Sequence, residues 1–162
     1  MTQFQNKVAV VTGGASGIGQ ALCEELARRG ATVVVADIDS QRAQHVASAI
    51  AAQGGRAESA EVDVADAKQM QTLVEQTVSR HERLDYFFNN AAIAVVGELR
   101  DLAPEHWRRL VDVNLLGVVY GTMGYKITSL NIYFRKVCGI PYIRIAGYGI
   151  GSKYYTNLIT LS

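Results

Sequence analysis

The sequence predicts an α/β fold, a doubly wound parallel sheet with helices on both faces. Three observations predict it. Short β-branched runs alternate with stretches carrying apolar residues at helical spacing through the first two-thirds of the chain. A glycine-rich turn, Thr12-Gly13-Gly14-Ala15-Ser16-Gly17-Ile18-Gly19, joins the first run to the first helical stretch. An acid, Asp37, closes the second run, 18 residues after Gly19. Strands joined by helices of this length pair in parallel through right-handed crossovers.

Each element follows from its residues. Lys7 to Val11 reads as a buried strand. Ile18, Leu22 and Leu26 lie four apart on one helix face, and Gly30 stops that helix after Arg29. Thr32 to Ala36 is a second strand ending at Asp37. Asp39 or Ser40 can cap a helix that runs to Gln53 and stops at Gly54-Gly55. Arg56 to Val62 is a weaker third strand. Asp66 with Gln69 is a variant capping box opening a helix to about Arg83. Leu84 to Phe88 is a fourth strand, and Pro104 opens one long helix to about Tyr120.

Composition narrows the function. Net charge is +1, so nothing pulls the chain toward nucleic acid or an anionic membrane. No apolar run reaches the roughly 18 residues a membrane helix needs, and the polar start Met1 to Lys7 does not resemble a signal peptide. The expected location is cytoplasmic. Cys23 and Cys138 make no disulfide framework, and Cys23 reads as core filler. His45, His81 and His106 lack metal-ligand spacing and read as surface residues, so no metal site is expected. Arg108-Arg109 reads as solvated charge.

The glycine-rich turn carries chemistry. Its glycines let the backbone bend sharply and let a pyrophosphate approach closely, and the helix start offers free N–H groups to the phosphates. That assigns Gly13, Ser16, Gly17, Ile18 and Gly19 to a dinucleotide. Asp37 stands where a carboxylate accepts from the adenine ribose hydroxyls. It would repel a 2′-phosphate, and positions 16 and 38 are serine and isoleucine with no arginine, so NAD is expected over NADP. Asp63 reads equally as an acceptor for an adenine amine or as a strand-end cap.

Together these segments resemble the classical short-chain dehydrogenases/reductases over residues 1 to about 121. Thr-Gly-x-x-x-Gly-x-Gly over residues 12 to 19 is similar to the family signature. Asp63-Val64 falls where the family places an acid near the adenine. Asn89-Asn90-Ala91-Ala92 resembles the family's Asn-Asn-Ala-Gly element, which implies that Asn90 and Ala91 lie along the cofactor. Val111-Asp112-Val113-Asn114 resembles the helix segment bearing the catalytic asparagine. The resemblance implies a Rossmann-like sheet, NAD, a small alcohol or carbonyl substrate, and Asn114 in a tetrad with a serine, a tyrosine and a lysine four residues after it. Read from the residues alone, Asn114 is a satisfied core asparagine.

The sequence departs from the family after the long helix. From Thr122 to Ser162 there is no Asp or Glu, and alanine appears only at Ala146. No tyrosine is followed four residues later by lysine; Tyr148 and Lys153 are five apart among glycines. The expected organisation is an incomplete Rossmann-like NAD-binding domain over 1–121 and an atypical tyrosine-rich tail over 122–162. The chain is then expected to be truncated after the fourth strand and its following helix, and catalytically incompetent. The substrate would be engaged only by a full-length parent. A non-catalytic NAD-binding or dimerisation module, pairing as a homo-oligomer through Trp107 to Tyr120, and an unstable frameshift or splice product are the alternatives.

Overall fold

The computed structural model describes residues 3–124. Four strands, β1 (Val8–Thr12), β2 (Thr32–Asp37), β3 (Arg56–Glu61) and β4 (Tyr86–Phe88), form one parallel sheet in the order β3-β2-β1-β4. The helices are α1 (Gly17–Arg28), α2 (Ser40–Ala52), α3 (Ala67–His81), α4 (Pro104–Val111) and α5 (Gly117–Gly124). The Rossmann-like α/β class expected from the sequence is present.

Period-two alternation sorts the strand residues between two cores. Ala9, Val11, Val33 and Val35 pack with Cys23 and Leu26 of α1 and Val46 and Ile50 of α2. Val8, Val10, Val34 and Ala36 face the other way, onto Met70, Leu73 and Val74 of α3, Phe87 of β4 and Val113. β1 and β2 are covered on both sides, which is why they read as unbroken apolar runs.

Three helix starts follow the sequence reading. Asp39 caps α2 by accepting from the Arg42 amide at 3.0 Å. Asp66 caps α3 by accepting from Lys68 and Gln69 amides. Gln69 returns not to the Asp66 amide but to that of Asp63, at 2.9 Å, so the box clamps the whole β3–α3 turn. Pro104 occupies the first turn of α4, and His106 Nδ1 accepts from the Ala103 amide.

Two expectations need correction. β4 begins at Tyr86, not Leu84, because the Asp85 carboxylate takes the Val8 amide that a ladder carbonyl would otherwise meet. The long helix is not continuous: a π-helical segment over Asp112–Leu116 separates α4 from α5. α5 runs to Gly124, the last described residue. The strand-like pieces expected at 132–137 and 142–145, and Tyr148 and Lys153, lie outside the described residues.

α5 approaches the sheet through small residues. A side chain at Gly121 would collide with Asn89 Oδ1 and come within 2.8 Å of Phe87 Cε1. On α4 and the π segment, Trp107, Val111 and Leu115 are exposed by 45%, 42% and 45%. Among the described residues, no helix is long and apolar enough to cross a membrane.

Candidate functional site

The site forms where the carboxyl ends of β1, β2, β3 and β4 meet the start of α1. Gly13 and Gly17 adopt left-handed backbone angles, φ +64° and +51°, which a side chain would strain. Between them the chain turns from β1 into α1. Gly19 sits where a Cβ would collide with the Gly13 carbonyl oxygen and lie 2.6 Å from Asn90 Nδ2. Ser16, the residue before the helix, is extended and exposed, with no side-chain cap on the helix amides. The first turn of α1 holds no acid, so no side chain there neutralises the positive helix end. Ile18 is exposed at the same opening. A groove of about 430 Å³, bordered by Ser16, Gln20, Arg42 and His45, runs beside the turn.

Asp37 is held from two sides. Its Oδ2 accepts from the Ala15 amide at 3.0 Å and its Oδ1 from the Asp39 amide at 3.1 Å. The carboxylate therefore ties the glycine-rich turn to the end of β2. The neighbouring Asp39 caps α2 and pairs with Arg42, the capping role expected of Asp39 or Ser40.

Thr12, which opens the motif but was not expected to bind, is a hub. Its hydroxyl donates to the Phe88 carbonyl at 3.2 Å and accepts from the Asn90 and Ala91 amides at 3.1 and 3.2 Å. One donor and two acceptor positions are thereby filled. Asn90 Nδ2 donates back to the carbonyls of Thr12 and Gly13, at 3.0 and 3.3 Å. Asn90 thereby bridges the end of β4 to the end of β1. Asn89 Nδ2 is buried without a hydrogen-bond partner among the described residues.

Asp63 ends the turn after β3. Its Oδ1 accepts from the Ala65 amide at 2.9 Å, the strand-end capping left open by the sequence. Val64 beside it is buried against α5, where a Cβ on Gly117 would meet its side chain. The Asp63 carboxylate also receives Arg109 of α4, Nη1 to Oδ2 at 3.1 Å. Arg109 is thus paired, not merely solvated, whereas Arg108 pairs with Glu105 on its own helix.

Asn114 lies inside the π segment. Its Oδ1 accepts from the Ile93 amide and its Nδ2 donates to the Ile93 carbonyl, both at 2.9 Å. It is a satisfied asparagine, but half-buried rather than in the core, and it fastens the segment after β4 to the helix.

Beneath the turn lies Cys23. Burial, with the Glu24 and Asp37 charges adding to it, pushes its thiol up to about 12, so it is an inert core residue. His45 is exposed; His81 is half-buried and contacts Glu58 at 3.1 Å. No cluster of metal-ligating residues occurs among the described residues.

The structure thus brings Gly13, Ser16, Gly17, Ile18, Gly19, Asp37, Asn90 and Ala91 around one opening, with Asp63, Val64 and Asn114 at its flanks. The open turn at Gly17, where a Cβ would meet nothing, the acid-free helix start and the fixed carboxylate of Asp37 fit a dinucleotide.

The comparisons agree with this geometry. Cyclohexanol dehydrogenase of Acinetobacter sp. (strain SE19) is 41% identical over 129 residues, covering 79% of this chain and 51% of that protein. A 2,5-dichloro-2,5-cyclohexadiene-1,4-diol dehydrogenase of Sphingobium indicum is 34% identical, covering 95% of this chain and 64% of its own length. A short chain dehydrogenase/reductase from Burkholderia phymatum, crystallised in complex with NAD, superposes with a TM-score of 0.74 at 30% identity, covering 77% of this chain and 44% of its own. The chain spans about half the length of the first of these relatives. Residues 7–125 match the family described as short chain dehydrogenase. The glycine turn, the Thr12–Asn90 hub and the parallel sheet that holds them are all inside that match, and the chain belongs to the short-chain dehydrogenase family.

Proposed function

We propose that this chain binds NAD, as the cofactor-binding part of an oxidoreductase that interconverts a small alcohol and a carbonyl. The observation that carries the reading is the pairing of an acid-free start to α1 with Asp37, whose two oxygens are fixed by the Ala15 and Asp39 amides. Gly13, Ser16, Gly17, Ile18 and Gly19 would receive the pyrophosphate. Asp37 would accept from the adenine ribose hydroxyls, Asp63 and Val64 would meet the adenine, and Asn90 and Ala91 would line the nicotinamide side. NAD, when bound, supplies a hydride acceptor. The fixed carboxylate of Asp37 would repel a 2′-phosphate, which favours NAD over NADP.

Asn114 is the one member of the family tetrad that the motifs match, and Tyr-x-x-x-Lys occurs nowhere in the sequence. We infer that these 162 residues hold the cofactor without turning over a substrate. The names of the relatives, a cyclohexanol and a cyclohexadienediol dehydrogenase, support a small alcohol as the substrate of a protein that carries the missing pair. The exposed stripe of Trp107, Val111 and Leu115 supports pairing with a second copy, which sedimentation velocity would detect as a dimer.

Titration of the full chain with NADH and NADPH tests the reading. NADH should bind saturably and NADPH about tenfold more weakly or worse, with the difference shrinking in Asp37→Asn. Equal affinities, or no saturable NADH binding by a folded sample, would overturn it. So would dehydrogenase activity abolished by Tyr148→Phe or Lys153→Ala.

A further inference from the structure

Asp63 would face an exocyclic amine of the adenine under the cofactor reading above, and the following rests on that reading. A carboxylate has about four lone-pair positions. At Asp63, Oδ1 is taken by the Ala65 amide at 2.9 Å, with Arg109 Nη2 at the outer limit of 3.5 Å. Oδ2 receives Arg109 Nη1 at 3.1 Å. One side of Oδ2 is left open. The backbone at this point is already fixed, since the Asp63 amide donates to Gln69 Oε1 and the Asp63 carbonyl accepts from the Asp66 amide. What the turn does not fix is the rotation of the carboxylate about its own bond. Among the described residues, the Ala65 amide and the Arg109 fork do that.

Arg109 is placed to matter beyond this contact. α4 buries none of its residues, so the grip on Asp63 is a principal tie between α4 and the β3–α3 turn. Five residues on, in the π segment that follows α4, Asn114 ties the chain to Ile93 after β4.

We propose that Arg109 is a positioning residue for the adenine end of the cofactor groove, holding Asp63 so that its free Oδ2 position points to the adenine amine. α4 with its π segment then acts as a strut spanning both ends of the groove. Arg109 touches no reacting atom; it acts through Asp63. The Asp63 and Arg109 side chains are 28% and 46% exposed, so water competes for the carboxylate and the effect is moderate.

The experiment titrates the full chain with NADH, with ADP, and with the etheno-adenine analogue of NAD, whose exocyclic amine is tied into a ring. Arg109→Ala and Arg109→Gln should weaken NADH and ADP by about three- to tenfold. Arg109→Lys, which keeps a charge but not the fork, should fall between these and the unaltered chain. The etheno analogue should bind the unaltered chain and the Arg109 variants alike. In an Asp63→Ala background, removing Arg109 should cost nothing further. Equal loss for the etheno analogue, or additive losses in the double variant, would overturn the proposal, because Arg109 would then act through helix placement or the phosphates. Unchanged NADH and ADP affinities in the variants would overturn it while leaving the cofactor reading standing. Absence of saturable NADH binding by the unaltered chain would defeat that reading first. Should Arg109→Ala fail to fold, the lysine and glutamine variants carry the test.

Discussion

Replacing Thr12 by valine removes a hydroxyl at nearly constant volume. Three hydrogen bonds go with it, to Phe88, Asn90 and Ala91. Thr12 is 1% exposed, so the Phe88 carbonyl loses its partner in a dry region, while Asn90 and Ala91 sit at half-buried positions that water partly reaches. At roughly 1 kcal/mol net per hydrogen bond, less some re-solvation of the two amides, the loss is about 2–3 kcal/mol. Thr12→Ser keeps the hydroxyl and deletes one methyl, which costs about 1 kcal/mol. Urea unfolding of the full chain, followed by circular dichroism, separates the two. With a slope of about 2 kcal/mol per molar, the valine midpoint should fall by about 1–1.5 M and the serine midpoint by about 0.5 M. NADH affinity should fall in the valine variant, because Asn90 and Ala91 line the groove, and hold within about twofold in the serine variant. A valine variant as stable as the serine variant would refute the reasoning, since packing and not the hydroxyl would then carry the site.

Two further outcomes follow from charges and burial. Burial disfavours the charged Asp85 carboxyl, but hydrogen bonds from Arg83, the Val8 amide and Lys7 outweigh it and hold it below the usual carboxylate range. Its stabilisation is present above the unfolded aspartate value near pH 4 and is lost as pH falls through the lower folded value. Asp85→Asn should therefore be less stable by about 1–2 kcal/mol at neutral pH, discounted for the exposed Arg83 and Lys7, with the gap closing below about pH 4 in pH-dependent urea melts. In a Cys138→Ser background, Cys23 should resist a thiol reagent at pH 8 and react at the rate of unfolding when denaturant is added, because burial holds the thiol up at about 12.

What the sequence disclosed was local. The glycine turn and the Asp39 and Asp66 caps depend on residues a few positions apart, and their spacing encodes them. The alternating faces of β1 and β2 follow from the same short-range pattern. What stayed hidden depends on partners far along the chain. The start of β4 moved because Asp85 reaches Val8, 77 residues away. Arg109 read as solvated charge because its partner Asp63 lies 46 residues upstream. The break in the long helix reflects Asn114 holding Ile93, 21 residues before it, and helical periodicity carries no trace of that contact.

The π segment has one more implication. Its closing amide, Gly117, bonds to the Asp112 carbonyl, one residue further back than an α-helix allows, so Asp112–Leu116 is a turn carrying a surplus residue. Wound as plain α-helix without losing a residue, the segment would rotate everything after it by about 100°. Gly117 and Gly121 would swing away from Val64 and Asn89, and bulkier neighbours would arrive in their place. The widened turn thus absorbs one residue and keeps α5 seated, so a single-residue deletion at this point should leave Gly117 and Gly121 facing Val64 and Asn89. The π turn works here as a phase adapter: it carries one more residue than an α-helical turn would and still delivers α5 to its seat on the sheet.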